Sequence, residues 1–229
     1  MSLCCKKALC YNANIEVSSM IFHFDKYRRG AGFRFIKGCR ADCEKKLREG
    51  FEETERGFVA NVSAENIDPL MRDYIAAQTE ELFLFIETPC NLKDEEPDEF
   101  GVVTNPHINV YYWDGITKAE ANALLDKYGD WLINDGFACF GFGVKGCASE
   151  IMKDKYNVIS VYSVEKAKER PLLAGRMPQV TELRTAWDYF DRQHPGDCFQ
   201  YRKDGKNVHA VVAELLQQGL YFAERREAR

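Results

Sequence analysis

The chain has 229 residues, of which 45% are apolar and 29% charged, with a formal net charge of −5; this is the composition of a globular protein of one large domain or two small ones, long enough to bury a core without metals or disulfides. The acidic balance, with no basic run longer than Arg28-Arg29 or Arg225-Arg226, argues against nucleic acid or an anionic membrane as partner. No apolar stretch approaches the roughly 20 residues of a membrane span, and no signal-peptide core is present, so the expected location is cytoplasmic.

Taken in chain order, residues 14–24 and 32–37 read as strands of a hairpin around Gly30 and Gly32. A helix is expected over 41–56, with Leu47 and Phe51 four residues apart and Gly57 as its stop. Asp68-Pro69 reads as the N-cap and first position of a helix reaching Thr79. In 81–88, Leu82, Leu84 and Ile86 alternate with Phe83 and Phe85, which makes a central strand apolar on both faces. The acidic, proline-containing stretch 89–105 reads as a surface loop. It joins two halves, about 1–90 and 106–229, of what is expected to be a single domain.

Strand 107–113 follows. Thr117 and Glu120 form a capping box that starts helix 117–134, whose buried stripe is Leu124, Tyr128 and Leu132. Strands over 137–143 and 156–163 bracket a short helical piece after Gly146. Helices over 181–193 and 207–218, an edge strand at 199–202 and a last strand over 220–224 complete the chain. The expected fold class is α+β, with a mixed or mainly antiparallel sheet and helices packed on its faces. The hairpin-like pairs 14–24/32–37 and 81–88/107–113 carry that reading.

Two stretches carry candidate ligand chemistry. Strand 107–113 places His107, Asn109, Tyr111 and Trp113 on one face, a combination of flat aromatic area with donors and acceptors. The competing reading is a sheet face covered by helices, with Trp113 in the core and His107 partly exposed. The run Gly141-Phe142-Gly143-Val144-Lys145-Gly146, with Glu165 downstream, has the spacing of a dinucleotide fingerprint, in which glycines let backbone approach a pyrophosphate. The short charged segment after Gly146 weighs against it, and the alternative is a glycine-rich strand end that seats neighbouring aromatics.

Nine cysteines at irregular spacing (Cys4, Cys5, Cys10, Cys39, Cys43, Cys90, Cys139, Cys147 and Cys198) read as free thiols rather than a disulfide framework. No paired spacing marks a metal site, and no cofactor is expected. His194, Asp197 and Cys198 stand within five residues, yet catalytic partners meet through folding more often than through adjacency. The expected function is therefore a non-catalytic cytosolic binding or interaction domain, with a protein partner or a small-molecule ligand. The alternative is an enzyme acting on a small anionic or nucleotide-like substrate held by 141–146.

Overall fold

The structure, a computed structural model, describes residues 32–95, 97, 99, 101–104, 106–146 and 149–227. The strand expected over 14–24, with His23, lies outside the described residues, as do Cys4, Cys5, Cys10 and Cys147.

The fold is α+β, built on a wholly antiparallel sheet. Its strands are β2 (Gly50–Thr54), β3 (Gly57–Asn61), β4 (Leu82–Pro89), β5 (His107–Ile116), β6 (Cys139–Val144), β7 (Ser149–Lys153), β8 (Val158–Ser163) and β10 (Tyr221–Glu227), in the order β10-β5-β4-β6-β7-β8-β3-β2. A separate two-residue ladder pairs β1 (Cys39–Arg40) with β9 (Asp197–Cys198). The expected pairing of 81–88 with 107–113 is present as β4 against β5, so the acidic loop 89–105 links two adjacent strands of one sheet.

Four expectations are corrected. Residues 32–37 form no strand. Their amide groups are taken by side chains instead of a ladder: Arg34 donates to Ser63 Oγ at 3.0 Å, Phe35 to Glu44 Oε1 at 2.7 Å and Ile36 to Asn157 Oδ1 at 3.0 Å. The helix expected over 41–56 is a 3-10 turn (Asp42–Lys46) followed by the β2–β3 hairpin, whose tight turn uses Gly57 at φ 147°. Leu47 and Phe51 are both buried, but in different elements. The short helix expected after Gly146 is strand β7. The helix expected over 181–193 shrinks to a 3-10 turn, Ala186–Tyr189.

All four α-helices among the described residues lie on one face of the sheet. Helix α1 (Ala64–Ala77) packs on β6 and β7, and α2 (Lys118–Asn134) on β4 and β6. Helix α3 (Lys166–Ala174) runs beside β8, and α4 (Val208–Leu215) beside β4. Helix α1 begins a turn earlier than Asp68-Pro69 implied, with Pro69 inside it. Ile67, Leu70, Met71, Tyr74 and Ile75 are all buried on its sheet side. Apolar burial at roughly 25 cal/mol per Å² outweighs the cost of one interior proline. Between helices and sheet sit Leu84, Ile86, Phe140, Phe142 and Ile151.

The capping box of α2 forms as the sequence indicates. Glu120 N–H donates to Thr117 Oγ1 at 3.2 Å and Thr117 N–H donates to Glu120 Oε2 at 2.8 Å. Thr117→Ala is expected to cost about 1 kcal/mol, read as a lower urea midpoint at unchanged slope. No effect would mean that the packed stripe alone holds the first turn.

Candidate functional site

Because the helices occupy one face, the register of the strands decides which side chains meet solvent on the other. Directly opposed residues in antiparallel strands share a face. Tyr112 opposes Phe85, Phe85 opposes Gly141, and Gly141 opposes Met152. One step along, Phe83 opposes Gly143, Gly143 opposes Glu150, and Glu150 opposes Tyr162. This open face is therefore an aromatic band with a glycine trough and a carboxylate across it. At the β2/β3 end it is partly covered by the chain around 183–184, where Leu183 N–H donates to Glu52 Oε2 at 2.7 Å and Asn61 Nδ2 donates to the Arg184 carbonyl at 2.7 Å.

The glycines are where they are for packing. A Cβ at Gly141 would sit 2.7 Å from two carbons of the Phe85 ring, and one at Gly143 would sit 2.6 Å from Phe83 Cε1. The two rings lie over the strand in the space the missing side chains leave. Phe83, Phe85 and Tyr112 contact one another with centroids 5.9–6.4 Å apart. Gly146, at φ 90°, belongs to the turn between β6 and β7. A strand, not a helix N-terminus, follows that turn.

Beside the band lies a groove of about 520 Å³, lined by Phe85, Glu87, Tyr112, Glu150, Met152 and Arg226 among others. A shallower hollow of about 480 Å³ continues it past Phe83 and Gly146 and shares Glu150 and Tyr162 with it. Glu87 is ion-paired to Arg226. Burial pushes its carboxyl up, Arg226 opposes the shift, and Asp154 and Glu224 reinforce it. Asp154 accepts the Cys139 thiol at 3.1 Å and the Lys155 amide at 2.6 Å. Glu150 differs: among the described residues it makes no hydrogen bond or ion pair, and burial, then the charge of Glu87, raises its pKa. A half-buried carboxylate walled by rings and left unpaired by the chain carries a desolvation cost. A cation would relieve that cost, and the faces of Tyr and Phe add to its attraction.

The residues expected to form a ligand face on strand 107–113 point the other way. His107 N–H donates to Glu95 Oε1 at 2.7 Å, and its Nδ1 lies 2.8 Å from Glu95 Oε2. Asn109 Oδ1 accepts both the Cys90 thiol and Arg225 Nε at 3.1 Å. Tyr111 meets Phe222 edge to face at 5.8 Å. Trp113 lies against Gly219 and lines a hollow with Leu124 and Tyr128 of α2. All four are at least half covered by the chain, and their polar tips are largely engaged within it. The site residues that β5 contributes to the open face are the alternate set, Ile108 and Tyr112. The signal in the sequence was the parity of Gly141 and Gly143, which matches that of Phe83 and Phe85 once β4 and β6 are adjacent.

His194 does not complete a trio with its sequence neighbours: its ring binds Asp191 at 3.1 Å in an exposed turn. Among the described residues no cluster of three or more His, Cys, Asp or Glu could hold a metal, and no helix is long and apolar enough to cross a membrane. Comparison with protein-family models, with curated proteins and with solved structures gives no match to this chain.

Proposed function

We propose that the chain is a non-catalytic cytosolic binding domain whose open sheet face receives a basic segment of a partner protein. The observation that carries this reading is Glu150, a half-buried carboxylate between Phe83, Phe85 and Tyr162 that is unpaired among the described residues: Arg226 is committed to Glu87, and Lys155 and Lys145, which also line the groove and the adjoining hollow, make no ion pair with it. Charge complementarity selects a lysine or arginine side chain as the inserted group. The surrounding rings supply flat apolar area for the stem of that side chain, and Phe137 and Tyr162, 40% and 42% exposed, provide a rim. Two observations weigh against a small anionic substrate at 141–146. Carboxylates face that stretch, and the chain after Gly146 continues as a strand, with no helix N-terminus to receive a phosphate.

The test uses two decapeptides, one of alternating Arg and Gly and one of alternating Glu and Gly, titrated into isotopically labelled full chain. The basic peptide is expected to shift amide signals of β4, β6 and β7, and the acidic one to leave them in place. Glu150→Gln should weaken the basic peptide about tenfold while leaving thermal stability equal or higher, since it removes a carboxylate that burial disfavours. The sign in pH follows from the raised pKa of Glu150: the charge, and with it the affinity, is lost on acidification beginning above the ordinary value of 4.5. Shifts caused equally by both peptides, or confined to β5 and α2, would overturn the reading.

A further inference from the structure

Away from the groove, β1 and β9 bring together two sulfur atoms from opposite ends of the described chain. Cys39 and Cys198 are directly opposed in that ladder. On one side of them, Phe199 N–H donates to the Gly38 carbonyl at 2.8 Å, so the ladder's hydrogen bonds fall on the flanking pairs. Cys39 and Cys198 thus occupy a non-hydrogen-bonded position, where Cα atoms lie about 4.5 Å apart. Disulfides span Cα separations of about 4.4–6.8 Å. Both thiols are free in this structure, and the proximity of Cys39 favours the thiolate of Cys198.

The surroundings differentiate the two. Cys39 is buried, and Cys198 is partly buried. Tyr156, held in the left-handed region at φ 54°, ψ 34°, lies close enough to Cys198 to favour its thiolate. A Cβ at Gly196 would lie only 2.5 Å from the Tyr156 hydroxyl oxygen, so the glycine leaves room for that ring. Lys155 and the buried Lys153 place positive charge nearby. Asp197 is the neighbouring carboxylate on β9. The proximity of Cys39, set against burial and supported by Tyr156, Lys155 and Lys153, lowers the Cys198 thiol to about 6 from an ordinary 9.0. The remaining described thiols go the other way: Cys39, through its proximity to Cys198 and burial, and Cys43, Cys90 and Cys139, through burial, are all raised.

We propose that Cys39 and Cys198 are a redox-active dithiol in which Cys198 attacks a hydroperoxide and Cys39 resolves the product to a disulfide. The Cys198 thiolate displaces at the terminal peroxide oxygen. An S–O bond forms, the O–O bond breaks, and the leaving oxygen takes a proton to depart as an alcohol or as water. The resulting sulfenic acid is attacked by the Cys39 sulfur; the S–S bond forms and the S–O bond breaks. Hydroxide leaves with the Cys39 proton as water. In sum, two thiols are oxidised by two electrons and one peroxide is reduced. The backbone need not move far, because the register already sets the spacing.

The experiment uses the full chain, reduced and then exposed to hydrogen peroxide in small excess, with non-reducing peptide mapping. A peptide pair joined through Cys39 and Cys198, reversed by dithiothreitol, is expected before any other cysteine is modified. At pH 7 iodoacetamide should label Cys198 at least about tenfold faster than Cys43, Cys90 or Cys139, with a rate midpoint near pH 6. Cys39→Ser should leave a sulfenic acid at Cys198 that dimedone traps, and Tyr156→Phe should move the midpoint upward. A disulfide between Cys198 and another cysteine, or oxidation elsewhere while Cys39 and Cys198 stay free, would overturn the proposal. Mapping of the unmutated chain decides this even if a variant does not fold.

Discussion

Gly141→Ala is expected to lower the stability of the fold by about 3 kcal/mol, the larger of two effects from glycines only two residues apart. The added methyl would overlap the backbone carbonyl oxygen of Ile151 on the neighbouring strand and two atoms of the Phe85 ring. Neither obstacle gives way easily. Phe85 is 3% exposed and wedged against Phe83 and Tyr112, and the carbonyl belongs to the ladder. For a domain of this size the melting temperature should fall by about 6–12 °C. At Gly143 the nearest atoms are those of the Phe83 ring alone, and that ring is only half-buried. Swinging it aside should hold the cost of Gly143→Ala to about 1 kcal/mol. Calorimetry of both variants checks the pair. Equal losses would mean that the glycines serve strand twist and not the seating of the rings.

Lys153 is the second site of large expected effect. It is fully buried on the helix side of β7, and its ammonium donates to the carbonyls of Asp135 at 2.7 Å and Ala138 at 3.0 Å. Those carbonyls close the C-terminal end of α2 and the approach to β6, where the negative end of the helix dipole favours a cation. The Asp135 side chain meanwhile accepts the amides of Phe137, Ala138 and Tyr201. The Lys153–Asp135 pair of residues therefore stitches helix, strand and the chain around 201. Lys153→Ala removes stem packing and strands two buried acceptors, and is expected to cost about 3–5 kcal/mol. Lys153→Met keeps the packing and should cost about 1–3 kcal/mol. Since Lys153 is one of the charges that lower the Cys198 thiol, the methionine variant should also shift the alkylation midpoint of Cys198 upward. A stable Lys153→Ala would show that water replaces the ammonium without penalty.

What the sequence disclosed follows from where local signals coincide with tertiary demands. Strands β4 and β5, helix α2, and strands β6 and β8 were legible because their apolar spacing, and in α2 a capping box, point to one conformation. Strand β2 was not. Glu52, Glu53 and Thr54 crowd its outer end, as suits an edge strand, and the spacing of Leu47 and Phe51 imitates a helical repeat. Strand β7 hid its alternation because Lys153 lies inward and Met152 outward, the reverse of their usual places. Helix α3 carries Pro171 and four charged residues in nine positions, leaving little apolar stripe to read. At the site, β5 is aromatic on both faces, so its own residues cannot tell which face the helices will cover. The dithiol was beyond reach for another reason: nothing local to Cys39 or Cys198 indicates the partner that the fold places opposite.

The strand order has a bearing on how the chain reaches this state. Strands β4 to β8 lie side by side, joined by the acidic loop, by helix α2 and by two tight connections, so each can pair with a neighbour soon after it is made. The β2–β3 hairpin, though first of the sheet to be synthesised, has no neighbour until β8 appears, because Gly57 to Asn61 pair with Val158 to Tyr162. For the time it takes to make that intervening stretch, an apolar hairpin with Phe51 and Phe58 waits unpaired. Contacts of such long sequence separation are slow to form, and a ribosome-bound intermediate of this kind is where a chaperone would be most needed.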